Sequence, residues 1–276
     1  MIRKDAILAW PMIGFMALFF LAPLLLLFGI GLREADGGWG LGNFVAFLDD
    51  PFERGVLVRT LLLGFKVTAL VSLLALPLVM LYWHAGPRLR GVILVCALLP
   101  MLTANVVRTF AWVVILGRNG PISQSMLALG LTERPFSLLY TETGLILALA
   151  QIELPLLLLP VISVLNRADR ATLDAAEVLG AGRWRAWFSA IFPQVIPAVL
   201  AGWVLVFASA ATSYVTQSVI GGARLIYLPQ FVYREVGVLF QWPSAAAISI
   251  LLLISTGVIM LGLTMLARHE RLRAHG

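Results

Sequence analysis

The chain has 276 residues, of which 61% are hydrophobic and only 12% charged, with a mean hydropathy of +0.96. Soluble domains carry roughly 25% charged residues, so this composition excludes an ordinary soluble enzyme and belongs in a bilayer. The formal charge of +6 does not indicate a nucleic-acid partner, because the basic residues sit in short loops beside apolar runs and form no basic domain.

Arg3 and Lys4 precede the first apolar run, Ala9–Leu32. At ~1.5 Å per residue such a helix exceeds the ~30 Å hydrocarbon core. No small-residue cleavage site follows it, so it is read as a retained first helix and not a signal peptide. Five further spans follow: Val56–Trp83, Gly91–Gly117, Thr143–Asn166, Gln194–Ile220 and Pro243–Ala267. The expected architecture is an all-α integral membrane protein with six transmembrane helices in one domain, residues 1–276. Prolines inside the runs (Pro23, Pro77, Pro100, Pro155, Pro160 and Pro197) do not veto this, since neighbouring helices can satisfy the carbonyls they free. The loops Arg33–Gly55, Arg118–Glu142 and Gly221–Trp242 are too short for a domain, and the second contains an amphipathic piece, Ile122–Leu131. Cys96 is the only cysteine, which excludes an internal disulfide and a thiolate metal cluster.

Orientation follows from the count of Lys and Arg. With the N-terminus in the cytoplasm, eleven basic residues lie on that side and seven on the other, which favours N-in, C-in. The loop 167–193 then faces the cytoplasm. Asp169 is placed to cap a short helix over Arg170–Leu179, and Gly180 is free to adopt the left-handed conformation that stops it. Trp184, Trp187, Phe188 and Ile191 follow at i, i+3, i+4 and i+7, a pattern suited to headgroup depth. The small pair Ala175 and Ala176 lets another protein approach the backbone closely.

This loop resembles the cytoplasmic "EAA" loop of ABC importer permeases, E-A-A-x-x-x-G, nine residues, then I-x-L-P. Asp174, Ala175, Ala176, Gly180 and Pro193 fall in register, with Asp174 replacing Glu, Ala190 replacing Ile and Phe192 replacing Leu. Four further stretches recur in order: RTFAWVVILGRNGPIS (Arg108–Ser123), ELPLLLLP (Glu153–Pro160), AGWVLVF (Ala201–Phe207) and IGG (Ile220–Gly222). Together they are similar to the spermidine/putrescine-type permeases. The resemblance implies a type I ABC importer permease fold, of the MetI-like kind, in a bacterial inner membrane. It also implies its partners: two ATPase subunits, a second six-helix permease that forms a heterodimer with this chain, and a periplasmic or lipid-anchored substrate-binding protein. Asp174, Ala175, Ala176, Glu177, Gly180, Arg183 and Pro193 would then form the ATPase-coupling surface. No G-x-x-x-x-G-K-[ST] phosphate loop occurs in the chain. The expectation is therefore a transport subunit that is not itself an enzyme and binds no cofactor, with ATP and magnesium used by the partner ATPase.

Lys66, Arg108 and Glu153 lie within apolar runs, where a charge is expensive and usually faces the bundle interior. Arg108 and Glu153 are expected to pair with each other or to line the translocation path, with Lys66 near mid-membrane and Trp112 and Tyr214 as aromatic candidates. One acid against two bases does not resemble a polycation site, although the resemblance favours a polyamine. Phosphonates, opines, thiamine and ferric ion are the alternatives that the wider branch implies. The competing class is an ion-coupled secondary transporter that uses Glu153 as its titrating group.

Overall fold

The computed structural model describes residues 11–34, 37–168, 171–172, 176 and 178–273. Asp174, Ala175 and Glu177, expected on the ATPase-coupling surface, and the Asp169 cap fall outside the described residues. What is described is helical, apart from one isolated bridge between Arg33 and Trp39. The helices are α1 (Pro11–Gly31), α2 (Gly42–Asp49), α3 (Pro51–His84), α4 (Pro87–Leu98), α5 (Asn105–Leu116), α6 (Pro121–Ala128), α7 (Glu142–Leu165), α8 (Trp184–Thr212), α9 (Leu228–Gly237) and α10 (Trp242–Arg273). Five of them are long and apolar enough to cross a membrane, and a bent pair makes a sixth.

The chain divides into two compact units. One comprises residues 1–57 and 228–255, the other residues 58–227 and 256–276. In the first, α1 crosses α10 closely at Gly31, where an added Cβ would meet Ile250 Cδ1 at 3.1 Å and the Ala247 amide nitrogen at 3.3 Å. Such small-residue crossings suit helices in lipid, which associate through close van der Waals contact. Asn43 closes the end of α1 by donating from Nδ2 to the carbonyls of Gly31 (3.0 Å) and Arg33 (2.7 Å). Asp50 starts α3 by accepting from the amides of Phe52 and Glu53.

The second unit is built around α7, the most buried of the spans. Leu63, Val67 and Val71 form one face of α3 and meet Leu145, Leu149 and Leu157 of α7 and Val206 and Ala210 of α8 in a continuous core. Gly202 lets α8 approach α7 at Leu157, which a Cβ there would overlap. A second cluster joins Val79, Tyr82 and Trp83 to Leu158, Ile162, Leu165, Trp187 and Ile191. Trp187 is therefore a core residue, whereas Trp184 is 65% exposed.

Two spans differ from the sequence expectation. Gly91–Gly117 is not one helix: α4 tightens into a 3₁₀ turn at Leu99–Leu102, Thr103 is extended, and the chain resumes as α5 after a bend of 105°. Pro100 is the cause, because it lacks an N–H and its ring clashes with the carbonyl one turn back. Thr103 secures the break by donating from Oγ1 to the Pro100 carbonyl at 2.8 Å. Gln194–Ile220 is likewise interrupted, because α8 begins ten residues earlier, at Trp184, and stops at Thr212. Ser213 adopts φ −75°, ψ 75° before a short helix, Tyr214–Thr216, and a π turn, Gln217–Gly221.

Candidate functional site: a polar cavity at three helix irregularities

Both breaks open onto the same place. Met101 and Asn105 flank the bend between α4 and α5, and Thr212 and Ser213 mark the end of α8. Pro155, inside the continuous α7 between them, has no N–H to give to the helix ladder. These residues, with Arg108, Ile152, Glu153, Leu156 and Ser209, line a cavity of about 340 Å³. Irregular backbone at membrane depth is tolerated where it lines a cavity, and transporter sites are commonly built from discontinuous helices.

The break in α8 is held by buried polar groups. Gln217 is fully buried and donates from Nε2 to the carbonyl of Ala210 at 2.9 Å, replacing a donor that the interrupted helix no longer supplies. Thr109 of α5 donates to the Asn105 carbonyl at 2.9 Å, and its oxygen lies 3.1 Å from the Thr216 hydroxyl. The cavity walls are thus fixed to one another by hydrogen bonds as well as by apolar contact.

Glu153 is 4% exposed and shares the cavity lining with Ser209. Arg108 lies one turn into α5, close enough for its charge to act on Glu153. Yet the two do not form an ion pair. Among the described residues the one ion pair joins Lys66 to Glu142, with Nζ to Oε1 at 2.6 Å. The Arg108 Nε is buried without a hydrogen-bond partner among the described residues. Arg108 and Glu153 thus share a cavity lining without closing a pair.

The other three pathway candidates do not line this cavity. Lys66 stands near the middle of the 34-residue α3 and pairs with Glu142, the first residue of α7. Trp112 donates from Nε1 to Gln151 Oε1 at 3.0 Å and packs against the α3–α7–α8 core. Tyr214 is half-buried on the short helix beyond the break, next to Ser213. Sequence reasoning missed Asn105, Ser209, Thr212 and Ser213. The signal was present, since Ser209, Thr212 and Ser213 stand at i, i+3 and i+4 in an otherwise apolar run, and so share a helix face.

In the 167–193 loop, Gly180 has φ +86°, and the Ala181 amide donates to the Ala176 carbonyl at 3.1 Å. This is the glycine-terminated helix end that the sequence anticipates. Just before it, Val178 and Leu179 are 88% and 87% exposed, an apolar pair that the motif did not single out. Arg183 opens the next helical turn. Pro193 lies just past the π turn Trp187–Ile191, where its missing N–H disrupts the regular ladder.

The model of the family "Binding-protein-dependent transport system inner membrane component" matches residues 72–270. The spermidine/putrescine transport system permease protein PotB of Haemophilus influenzae is 27% identical over 241 residues, 84% of this chain and 83% of that one. PhnU of Salmonella typhimurium strain LT2, a permease protein named for 2-aminoethylphosphonate transport, is 30% identical over 230 residues, 82% of this chain and 79% of that one. Among solved structures, a chain of a bacterial alginate ABC transporter, crystallised with an alginate-bound periplasmic protein, superposes with a TM-score of 0.74. It has 18% identity and covers 97% of this chain and 96% of that one. That likeness carries the fold, and family membership sets aside the ion-coupled secondary transporter. The chain belongs to the family of inner membrane components of binding-protein-dependent transport systems, and is a permease subunit of an ABC importer.

Proposed function

We propose that this chain forms half of the translocation pathway of an importer for a small amine-bearing solute, and that the solute passes the cavity between Arg108, Glu153 and Ser209. The observation that carries the reading is the convergence of three helix irregularities on one polar cavity inside an apolar unit. A carboxylate that is 4% exposed in a membrane helix is expensive, and such residues commonly mark solute pathways. Glu153 suits an ammonium group, which both a spermidine/putrescine-type polyamine and 2-aminoethylphosphonate carry. Polyamine is the reading that the PotB relatives support.

The chain works with a second six-helix permease, two ATPase subunits and an external binding protein, in the N-in, C-in orientation. The partner ATPase uses ATP and magnesium, and this chain binds no cofactor. The helix ending at Gly180 enters a groove on the ATPase, with Val178 and Leu179 as its apolar contacts. Exposed apolar side chains beside a glycine-stopped helix end support that role.

Reconstitution tests the reading. The chain, co-expressed with the adjacent permease and ATPase genes, is expected to purify as one complex and to drive ATP-dependent uptake with its binding protein in proteoliposomes. Glu153→Gln should lower uptake in complexes of normal composition. Unchanged uptake would remove the cavity from the pathway.

A further inference from the structure

We propose that a groove between α3 and α8 binds an anionic phospholipid, with one acyl chain along Leu76, Val199 and Trp203 and the headgroup phosphate at Arg88 and Arg90. The groove shares no lining residue with the cavity beside Glu153, so the proposal stands apart from the pathway reading.

Ser72, Ala75, Leu76 and Val79 recur at i, i+3, i+4 and i+7 and form one face of α3, about 10 Å long. Phe192, Val199 and Trp203 of α8 make the opposite wall. Leu157 and Val161 of α7 are buried and form the floor, whereas Leu76 is 37% exposed and Val199 and Trp203 are half-buried. The open side is therefore the seam between two spanning helices, where hydrocarbon is the solvent. The space is about 90 Å³. That is well below the roughly 300–1,000 Å³ of a small-molecule site, but it suits a run of methylene groups, since a dry cavity of about 150 Å³ holds benzene. Water does not suit it. Ser72 Oγ already accepts from Trp203 Nε1 and donates to the Thr68 carbonyl, each at 2.7 Å. Trp187 adds a buried Nε1 with no partner among the described residues, a single donor where a water takes two to four polar partners.

The charge lies at one end. Val79 closes the groove on α3, and Tyr82 and Trp83, one turn on, pack with Val79 and Trp187 in one cluster. Arg90 is anchored there: Nε donates to the Tyr82 carbonyl at 3.1 Å, Nη2 donates to the Trp83 carbonyl at 2.9 Å, and the guanidinium lies 5.3 Å from the Tyr82 ring centre. Both acceptors are neutral. Arg88 is exposed, and neither arginine forms an ion pair among the described residues. The sequence has no Asp or Glu between Glu53 and Glu133, or between Glu177 and Glu235, so α3, α4 and α8 bring no carboxylate to this end. On the α8 side, Phe188 is 48% exposed and its ring lies 5.6 Å from that of Phe192, at the groove wall. Aromatic rings favour headgroup level, and basic residues there attract anionic lipids. A fixed cation, an aromatic collar and an apolar slot, in that order, match the phosphate, glycerol and acyl chain of a phospholipid.

The test is photolabelling of the complete importer in phosphatidylethanolamine vesicles, using phosphatidylglycerol with a diazirine on one acyl chain. Label is expected on the α3 and α8 peptides that contain Leu76 and Val199. Excess unlabelled phosphatidylglycerol should suppress it, and phosphatidylcholine or inorganic phosphate should not. Arg88→Gln frees no partner group and should lower labelling about fivefold. Val199→Trp narrows the slot and should abolish labelling at Leu76 in complexes of normal composition. Equal suppression by phosphatidylcholine would make this ordinary boundary lipid and overturn the proposal. Suppression by inorganic phosphate overturns it as well, as does labelling that both substitutions leave unchanged. Absence of label in the assembled importer would mean that a partner subunit covers the groove, and the proposal fails.

Discussion

The hydroxyls of Thr109 and Thr216 lie 3.1 Å apart, both on fully buried residues, and tie the start of α5 to the segment beyond the break in α8. Thr109 already donates to the Asn105 carbonyl, so Thr216 is the donor in this pair. Thr109→Val strands the Thr216 hydroxyl and should destabilise the subunit by about 1–3 kcal/mol. Adding Thr216→Val removes the stranded group, and the double variant should lose less than the two single losses combined. Thermal stability of the detergent-solubilised complex measures the cycle; strict additivity would mean that the two hydroxyls are independent.

Gly202 sets the distance between α7 and α8. A Cβ there would overlap the Leu157 side chain and lie 3.0 Å from the Leu157 Cα, so the helices must separate to admit it. Gly202→Ala should destabilise by about 1–3 kcal/mol, and Gly202→Leu should prevent assembly. Wild-type melting behaviour in Gly202→Leu would refute that close approach.

The Lys66–Glu142 pair lies off the cavity and is nearly half exposed on both sides. Exposed pairs contribute about 0–1 kcal/mol, so Lys66→Met should change stability by no more than that and leave the KM for solute unchanged. A several-fold rise in KM would return Lys66 to the pathway.

Gly180 occupies left-handed backbone in open space, so a larger side chain meets strain and not a steric clash. Gly180→Val should weaken ATPase association strongly, and Gly180→Asn only mildly, since Asn tolerates that conformation. Val178→Ser with Leu179→Ser should reduce association and leave the melting of the isolated permease pair unchanged, because both side chains face solvent. Association is read by co-purification of the ATPase; full retention in all three variants would remove this helix end from the coupling surface.

The helical architecture and the glycine stop were legible in the sequence because each depends on local signals: apolar run length and a glycine after a helix-forming stretch. Arg108 and Glu153 were legible as interior charges because their desolvation leaves few other places for them. The breaks were not. Pro100, Pro155 and Pro160 all stand in apolar runs, and the sequence does not say which carbonyls neighbouring helices rescue. The chain resolves this differently at each, with a 3₁₀ turn and a bend at Pro100 but an unbroken α7 through Pro155 and Pro160. The α8 break has no proline at all. It depends on Gln217 reaching back seven residues to Ala210, a contact that no periodicity in the sequence reveals. The partner of Lys66 was not legible either, because Glu142 is 76 residues away in the sequence and meets it only through the packing of α3 on α7.

The central claim, that solute passes the cavity beside Glu153, is tested most directly by cysteine accessibility. Cys96 is the only native cysteine, so Cys96→Ser provides a clean background for Ser209→Cys on the cavity wall. We expect a membrane-impermeant thiol reagent to modify that cysteine in the assembled importer. Nucleotide trapping should change the rate several-fold as the cavity switches sides, and transported solute should slow it. Modification at one rate in every state, with no protection by solute, would contradict the claim.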